Sequence, residues 1–171
     1  KYVKDDFVTD VEADLQLLKN LRKQWFGTDN TIKFDPKLDS FIKIVREKME
    51  KDPDRKLIVF SEYADTANYL GEALMNAGLP VMKYTSADAT QANKDRIRAN
   101  FDAGLKPLLQ QNDYHILVAT DAISEGYNLH RAGAIFNYDI PYNPTRVIQR
   151  IGRINRVNKK VFDELYIYNY F

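Results

Sequence analysis

The stretch QRIGRINR, residues 149–156, decides how this chain is read. It sets Gln149, Arg153 and Arg156 at i, i+4 and i+7, positions that share one face of an α-helix. Val147, Ile151 and Ile154 form a second stripe, roughly 200° around the same helix. One side can bury while the other presents two guanidiniums and an amide. Gly152 lies between them and costs roughly 1 kcal/mol of helix stability against Ala. A close backbone approach is the expected reason for it. Paired arginines on a rigid element suit two-point recognition of phosphate oxygens. A solvated basic helix face is the plainer alternative.

Composition narrows the setting. The chain has 171 residues, 44% of them hydrophobic, which suits one domain with a substantial core and a helical extension. A net charge of +1 excludes a globally basic nucleic-acid binder. The charge is nevertheless uneven. Between Pro141 and Val161 every charged residue is basic: Arg146, Arg150, Arg153, Arg156, Lys159 and Lys160. A local basic patch on a near-neutral body points to a site. There is no cysteine, which excludes disulfides, cysteine zinc sites and a thiol nucleophile, and fits a cytoplasmic location. No apolar run is long enough to span a bilayer and no signal peptide is visible, so no membrane association is expected. The chain begins on Lys1 and stops inside LYIYNYF, and both ends read as cuts in a longer protein.

The pattern along the chain is helical at first and then alternates. Thr9 or Asp10 can cap a helix running to residue 25, with Val11, Leu15 and Leu18 on one side. GTDN at 27–30 ends it. Asp35 and Pro36 read as the cap and first position of a second helix, to residue 51. Strands are expected at 57–60, 81–84, 115–119, 134–138 and 165–170, with helices at 64–77, from 89 to about 101, and from Asn143 and Pro144 onward. LIVF at 57–60 is a continuous apolar run, as in a strand buried on both faces. Alternating strands and helices argue for a parallel sheet covered on both faces. Ligands of such sheets sit at the carboxyl ends of the strands. Ser61, Glu62 and Tyr63 fall there, as do Thr85 and Ser86, and Thr120 and Asp121.

Two further segments carry polar turns. ATDAISEGYNL, residues 119–129, leaves a strand at Thr120 and closes on Gly126, Tyr127 and Asn128. Ordinary turn chemistry explains those residue types, but a hydroxyl and free N–H groups at a strand end can also hold a phosphate. IVFSEYADTANYL, residues 58–70, is by itself a generic strand, turn and helix, and Glu62 and Tyr63 read as structural. His115 and His130 have no metal-ligand partner in sequence and read as structural. Asp163 and Glu164 read as solvated. No metal site is expected within this chain.

The order of these segments is specific. LIVFSEY, then ILVATDAISEGYNL, then PTRVIQRIGRINR resembles motifs IV, V and VI of the superfamily 2 helicases and translocases, those of the second RecA-like domain. The resemblance covers about 56–156, with DPKLD from Asp35 similar to the usual lead-in. Within the superfamily the chain is most similar to bacterial relatives of the Swi/Snf-type ATPases. The resemblance implies an α/β RecA-like three-layer sandwich with a mostly parallel central sheet and helices on both faces, spanning 35–171. Residues 1–34 would be an N-terminal helical extension or linker.

It also implies roles. Arg156 matches the arginine finger that reaches the γ-phosphate of ATP, and Arg153 its partner arginine. Gln149, Gly126 and Asn128 match positions at the nucleotide. Ser61 and Thr120 match positions at the nucleic-acid backbone. Finger arginines in related phosphoryl-transfer enzymes supply about 10³ to 10⁵ in rate, because they place charge where the transition state redistributes it. Two departures stand out. Val157, Asn158 and Lys159 follow the finger where eukaryotic remodellers carry a Gly-Gln pair, which argues against nucleosome remodelling. The glycine expected after VMKY is absent, which puts a phosphate contact at Thr85 or Ser86 in doubt.

No G-x-x-x-x-G-K-[ST] loop occurs, and no convincing DExx segment follows a strand. The chain therefore reads as half of a motor, expected to be inactive alone. ATP with Mg²⁺ would be held mainly by an N-terminal RecA-like domain of the same parent chain. The track would be nucleic acid, with DNA expected ahead of RNA. Two rivals remain open. One is a non-catalytic nucleic-acid-binding or scaffolding domain that keeps the fold. The other is a small-molecule enzyme of doubly wound α/β type, which would need a glycine-rich nucleotide loop or a nucleophile and base that the sequence does not offer.

Overall fold

The computed structural model describes residues 4–124, 127–155 and 161–170. The chain divides into two compact units, Lys1–Ile44 and Val45–Phe171.

The first unit opens with helix α1 (Lys4–Trp25). It begins more than a turn before the caps proposed at Thr9 or Asp10. Its apolar residues Val11, Leu15 and Leu18 are all exposed. The turn after it is closed by Asp29, whose carboxylate accepts from both the N–H and the hydroxyl of Thr31. Asn30 takes φ 62° there, a left-handed conformation that Asn tolerates better than most residues. Helix α2 (Pro36–Lys51) starts as the sequence indicates. The Asp35 carboxylate accepts from the Leu38 N–H at 2.9 Å, and Pro36 takes the first helical position, where its missing N–H costs nothing.

The second unit is a five-stranded sheet. Its strands are β1 (Lys56–Phe60), β2 (Val81–Tyr84), β3 (Ile116–Ala119), β4 (Ala132–Asn137) and β5 (Tyr166–Asn169), in spatial order β2-β3-β1-β4-β5. Every pairing is parallel. This is the three-layer α/β arrangement expected from the alternating pattern. Strands β1, β3 and β4 are buried along their whole length, which is why they read as continuous apolar runs.

Helices cover both faces. Ala67, Leu70 and Leu74 of α3 (Ala64–Asn76) are buried where that helix packs on β2 and β3. Ile97 and Phe101 of α4 (Gln91–Phe101) join Ile58, Phe60, Met82, Tyr84 and Leu117 in one core cluster. Ile154 of α5 (Pro144–Ile154) completes that cluster. Each fully buried Leu, Ile or Phe there contributes about 1.5–3 kcal/mol.

The starts of α4 and β4 differ from the sequence reading for identifiable reasons. Helix α4 begins at Gln91, because Thr90 caps it by accepting from the Asn93 N–H. Strand β4 begins at Ala132, two residues early. Gly133 interrupts the apolar run in sequence, yet a Cβ there would meet the Arg55 side chain at 2.7 Å and Phe162 at 2.8 Å. The glycine is what admits those two side chains against the strand.

The register aligns the strand ends. Tyr84 pairs with Ala119, Ala119 with Phe60, Phe60 with Asn137 and Asn137 with Asn169. The residues that follow, Thr85, Thr120, Ser61 and Tyr138, therefore leave the sheet along one edge.

Candidate functional site

The carboxyl edge is knitted together beyond the last ladder pairs. The Ser61 N–H donates to the Ala119 carbonyl, Thr120 N–H to Tyr84, and Tyr138 N–H to Phe60. Each turn is thus anchored to a neighbouring strand before its side chains are placed.

Ser61 is wholly buried. Its hydroxyl donates to Asp139 at 2.5 Å, and the other carboxylate oxygen of Asp139 accepts from the Glu62 N–H at 2.6 Å. The turn after β1 is thereby tied to the turn after β4. The Ser61 hydroxyl is committed inside the domain, so the group offered to a ligand at this turn is not that side chain. Thr120 is differently placed. It is 8% exposed, and its hydroxyl oxygen accepts only a long 3.4 Å contact from the Ala122 N–H. Its own O–H makes no hydrogen bond among the described residues. Thr85 spends its hydroxyl on Asp88, which also accepts from the Thr85 N–H, each at 2.8 Å. That reciprocal cap agrees with the doubt about a ligand contact there.

Helix α5 supplies the cations. Asn143 caps it, accepting from the Thr145 N–H at 3.0 Å. Its four arginine and glutamine side chains among the described residues divide into two pairs. Arg146 binds the Glu62 carboxylate at 2.8 Å. Arg150 is 2% exposed and forms a fork on Asp121, at 2.7 and 2.9 Å, with a third bond to Asn137 at 2.9 Å. Its guanidinium also lies over the Phe60 ring, 4.9 Å from the centroid. These two arginines fasten the helix to the ends of β1, β3 and β4. Gln149 is exposed and Arg153 half-buried. Neither side chain makes a hydrogen bond or ion pair among the described residues, so both are available to a ligand.

The sequence reading gave no site role to Arg150, Asn137 or Asp139, and placed Asp121 only among the polar residues at the strand ends. A signal for Arg150 did exist. It sits on the same helical stripe as Val147, Ile151 and Ile154, so burial could have been expected. Asp121 then had to follow, because a buried guanidinium requires a carboxylate partner.

Residues 127–129 are also held in place. Tyr127 is buried, and its hydroxyl shares a 2.6 Å hydrogen bond with that of Tyr84. The two rings meet edge to face, centroids 5.5 Å apart. Burial and the Tyr84 hydroxyl both push the Tyr127 phenol up from its usual range. The Leu129 N–H donates to the Arg153 carbonyl at 3.2 Å, which sets this segment beside the end of α5. Asn128 reaches Asp102 at 3.4 Å through its amide nitrogen, leaving its oxygen uncommitted among the described residues. Gly126 and Arg156, assigned from the sequence to the nucleotide and the finger, lie outside the described residues.

At Gly152 a Cβ would meet open space. The close approach expected from the sequence is therefore not made among the described residues. The groups left uncommitted are Thr120 at the carboxyl edge and, on α5, Gln149, Arg153 and an open glycine. Such a set can donate to phosphate oxygens and receive a second surface.

Comparison with known proteins follows the same lines. The family described as Helicase conserved C-terminal domain matches residues 36–158. The chain is 34% identical over 122 residues to an uncharacterized ATP-dependent helicase, YqhH, of Bacillus subtilis, covering 70% of this chain and 19% of that one. It is 32% identical over 114 residues to the ATP-dependent RNA helicase dbp2 of Sclerotinia sclerotiorum, covering 67% of this chain and 18% of the relative. The chain thus spans about a fifth of the length of these curated relatives. Among solved structures, the C-terminal part of the Fun30 ATPase domain superposes with a TM-score of 0.64 at 20% identity, over 98% of this chain and 50% of that one. That likeness concerns the fold.

Proposed function

The chain belongs to the helicase conserved C-terminal domain family, and from that membership we propose that it is the second motor domain of an ATP-dependent helicase or translocase. Arg156 serves as the arginine finger and Arg153 as its partner. Gln149, Gly126 and Asn128 approach the nucleotide. Thr120 grips the nucleic-acid backbone, with the turn at Ser61 beside it on the same edge of the sheet.

The observation that carries this reading is the division of labour on α5. Arg146 and Arg150 are consumed in holding the helix, whereas Arg153 and Gln149 on the same helix have no partner among the described residues. A domain that used α5 only for stability would have no need of the second pair. Uncommitted N–H donors beside an open backbone fit a polyphosphate approached from outside the domain.

ATP and Mg²⁺ would be held mainly by an N-terminal RecA-like domain of the same parent chain, where the bound nucleotide supplies the phosphoryl group that is transferred to water. The residues of this chain orient and neutralise charge. Arg150 keeps α5 rigid, so that Arg153 is presented at a fixed angle. Gly152 lets the opposing backbone come close. Thr120 holds the track through its phosphates, which carry little sequence information, so tracking is independent of sequence. DNA is the expected track, although RNA helicases are among the relatives of similar identity. A cytoplasmic location follows from the same reading. Among the described residues, no helix is long and apolar enough to cross a membrane.

The test is ATP turnover by the intact parent protein, with and without DNA or RNA. Stimulation by one polymer supports the motor and identifies its track. A folded parent protein that turns over no ATP with either polymer overturns it in favour of a non-catalytic binding domain.

A further inference from the structure

The opposite edge of the sheet holds a second set of basic groups. Lys56 opens β1, His115 immediately precedes β3, and Arg131 immediately precedes β4. Because the strands are parallel, this edge lies opposite the carboxyl ends that carry Ser61 and Thr120. Lys56 and Phe60 stand at opposite ends of β1, roughly 13 Å apart. The three basic side chains line a cavity of about 420 Å³, together with Gln110, Asn112 and Asp54.

Lys56 is the unusual member. It is 3% exposed, yet its ammonium makes one hydrogen bond, to the Tyr114 carbonyl at 2.7 Å. It also lies 5.1 Å from the Phe101 ring centroid. An ammonium carries three N–H groups, so two remain without an acceptor. No carboxylate forms an ion pair with it among the described residues. His115 adds a buried Nδ1 that has no hydrogen-bond partner among the described residues. Arg131 spends Nη1 on the Ala99 and Gln111 carbonyls and Nη2 on Asn112, which fixes its guanidinium at the cavity wall.

The electrostatics agree with the geometry. Burial first, then the Arg131 charge, lower Lys56 to about 8, against the opposing pull of Asp113. Burial and the Lys56 charge hold His115 below its ordinary value, with Asp54 opposing and Arg131 adding to the effect. Two cations and an imidazole thus crowd one cavity, where burial and neighbouring positive charge disfavour the charged forms of Lys56 and His115. Buried charges are ordinarily paired. Asp54 lines the same cavity, yet it forms no ion pair with Lys56 among the described residues, so the Lys56 ammonium has no anionic acceptor in contact.

We propose that this cavity binds a small oxyanion of the phosphate class, held by the Lys56 ammonium, the Arg131 guanidinium and the His115 imidazole. Donors from three separate chain segments suit a tetrahedral group with several acceptor oxygens. The cavity exceeds the size of inorganic phosphate, so the group is either free phosphate or the phosphate of a monoester. The site is independent of the α5 reading and stands or falls without it.

The test is a titration of the 171-residue chain with inorganic phosphate, and separately with glycerol 3-phosphate, followed by backbone amide NMR. Saturable shifts at Lys56, Tyr114, His115 and Arg131 are expected. Lys56→Met keeps the side-chain length and its packing on Phe101, and should weaken binding about tenfold. His115→Gln provides a second variant, expected to weaken binding severalfold, and the amide spectrum verifies that each variant is folded. Tighter binding of the monoester identifies an esterified ligand. Equal or tighter binding of phosphate identifies the free anion. The proposal is overturned by the absence of saturable shifts at these residues, by shifts confined to Ser61, Thr120 and α5, or by unchanged affinity in both variants.

Discussion

The Arg150 guanidinium grips the Asp121 carboxylate through two hydrogen bonds, 2.7 Å from Nε to Oδ1 and 2.9 Å from Nη2 to Oδ2. Arg150 is buried and Asp121 partly exposed, so the pair sits where water screens it only from one side. Removing one partner leaves the other charge uncompensated. Arg150→Ala should cost about 3–5 kcal/mol in urea unfolding, and Arg150→Lys should recover only part of it, because an ammonium cannot fork. Arg153→Ala should change stability by less than about 0.5 kcal/mol. Equal costs for Arg150→Ala and Arg153→Ala would contradict the division of labour on α5.

In the parent protein the order reverses. Arg156→Ala should lower ATP turnover by about 10³-fold or more with little effect on nucleic-acid affinity. Thr120→Ala should instead weaken stimulation by nucleic acid while sparing basal turnover. Turnover near wild type in Arg156→Ala would refute the finger assignment.

Gly152 separates stability from activity. A Cβ there meets open space, so Gly152→Ala should stabilise the isolated domain by about 0.5–1 kcal/mol through helix propensity. In the parent protein the same methyl should obstruct domain closure and reduce ATP turnover. A variant both stabilised and fully active would show that no backbone approaches this position.

Tyr127 ties the segment after Thr120 to β2. Tyr127→Phe strands the Tyr84 hydroxyl in the core and should cost about 1–3 kcal/mol. Tyr84→Phe should cost a similar amount. The double variant should cost clearly less than the sum of the two, since it leaves neither hydroxyl behind. Additive losses in thermal or urea unfolding would show that the hydrogen bond contributes nothing.

Lys56 gives a pH signature. Its folded-state value is held near 8 against 10.5 for the free group, by burial first and Arg131 second, with Asp113 opposing. Above about pH 10.5 the lysine is neutral in both states. Between 10.5 and 8 the unfolded chain binds a proton that the folded one does not, so stability falls as the pH falls, and the penalty is constant below 8. Lys56→Met lacks this term. The stability difference, variant minus wild type, should rise by about 1–3 kcal/mol from pH 10.5 to pH 8 and then level off. A difference that is flat across that window in parallel urea titrations would remove the argument for a strained ammonium.

Much of the fold was legible because its signals are local. LIVF and ILVA are continuous apolar runs, and only a strand covered on both faces tolerates them. Asp35 with Pro36, and Asn143 with Pro144, announce helix starts through capping chemistry confined to a few residues. The missed boundaries have an equally physical cause. Gly133 reads as a break, and is a strand residue because Arg55 and Phe162, distant in sequence, occupy the space a Cβ would take.

The amino-acid sequence alone determined the alternation of strands and helices, the carboxyl edge where polar turns gather, and the face of α5 that bears Gln149 and Arg153. These follow from residue spacing and backbone chemistry, which need no knowledge of distant neighbours. Tertiary structure alone decided which polar groups are spent and which are left to act. Ser61 is consumed by Asp139 and Arg150 by Asp121, across 78 and 29 residues of chain. A side chain's availability depends on the partners that folding brings within hydrogen-bond reach, and spacing along the chain does not encode that distance.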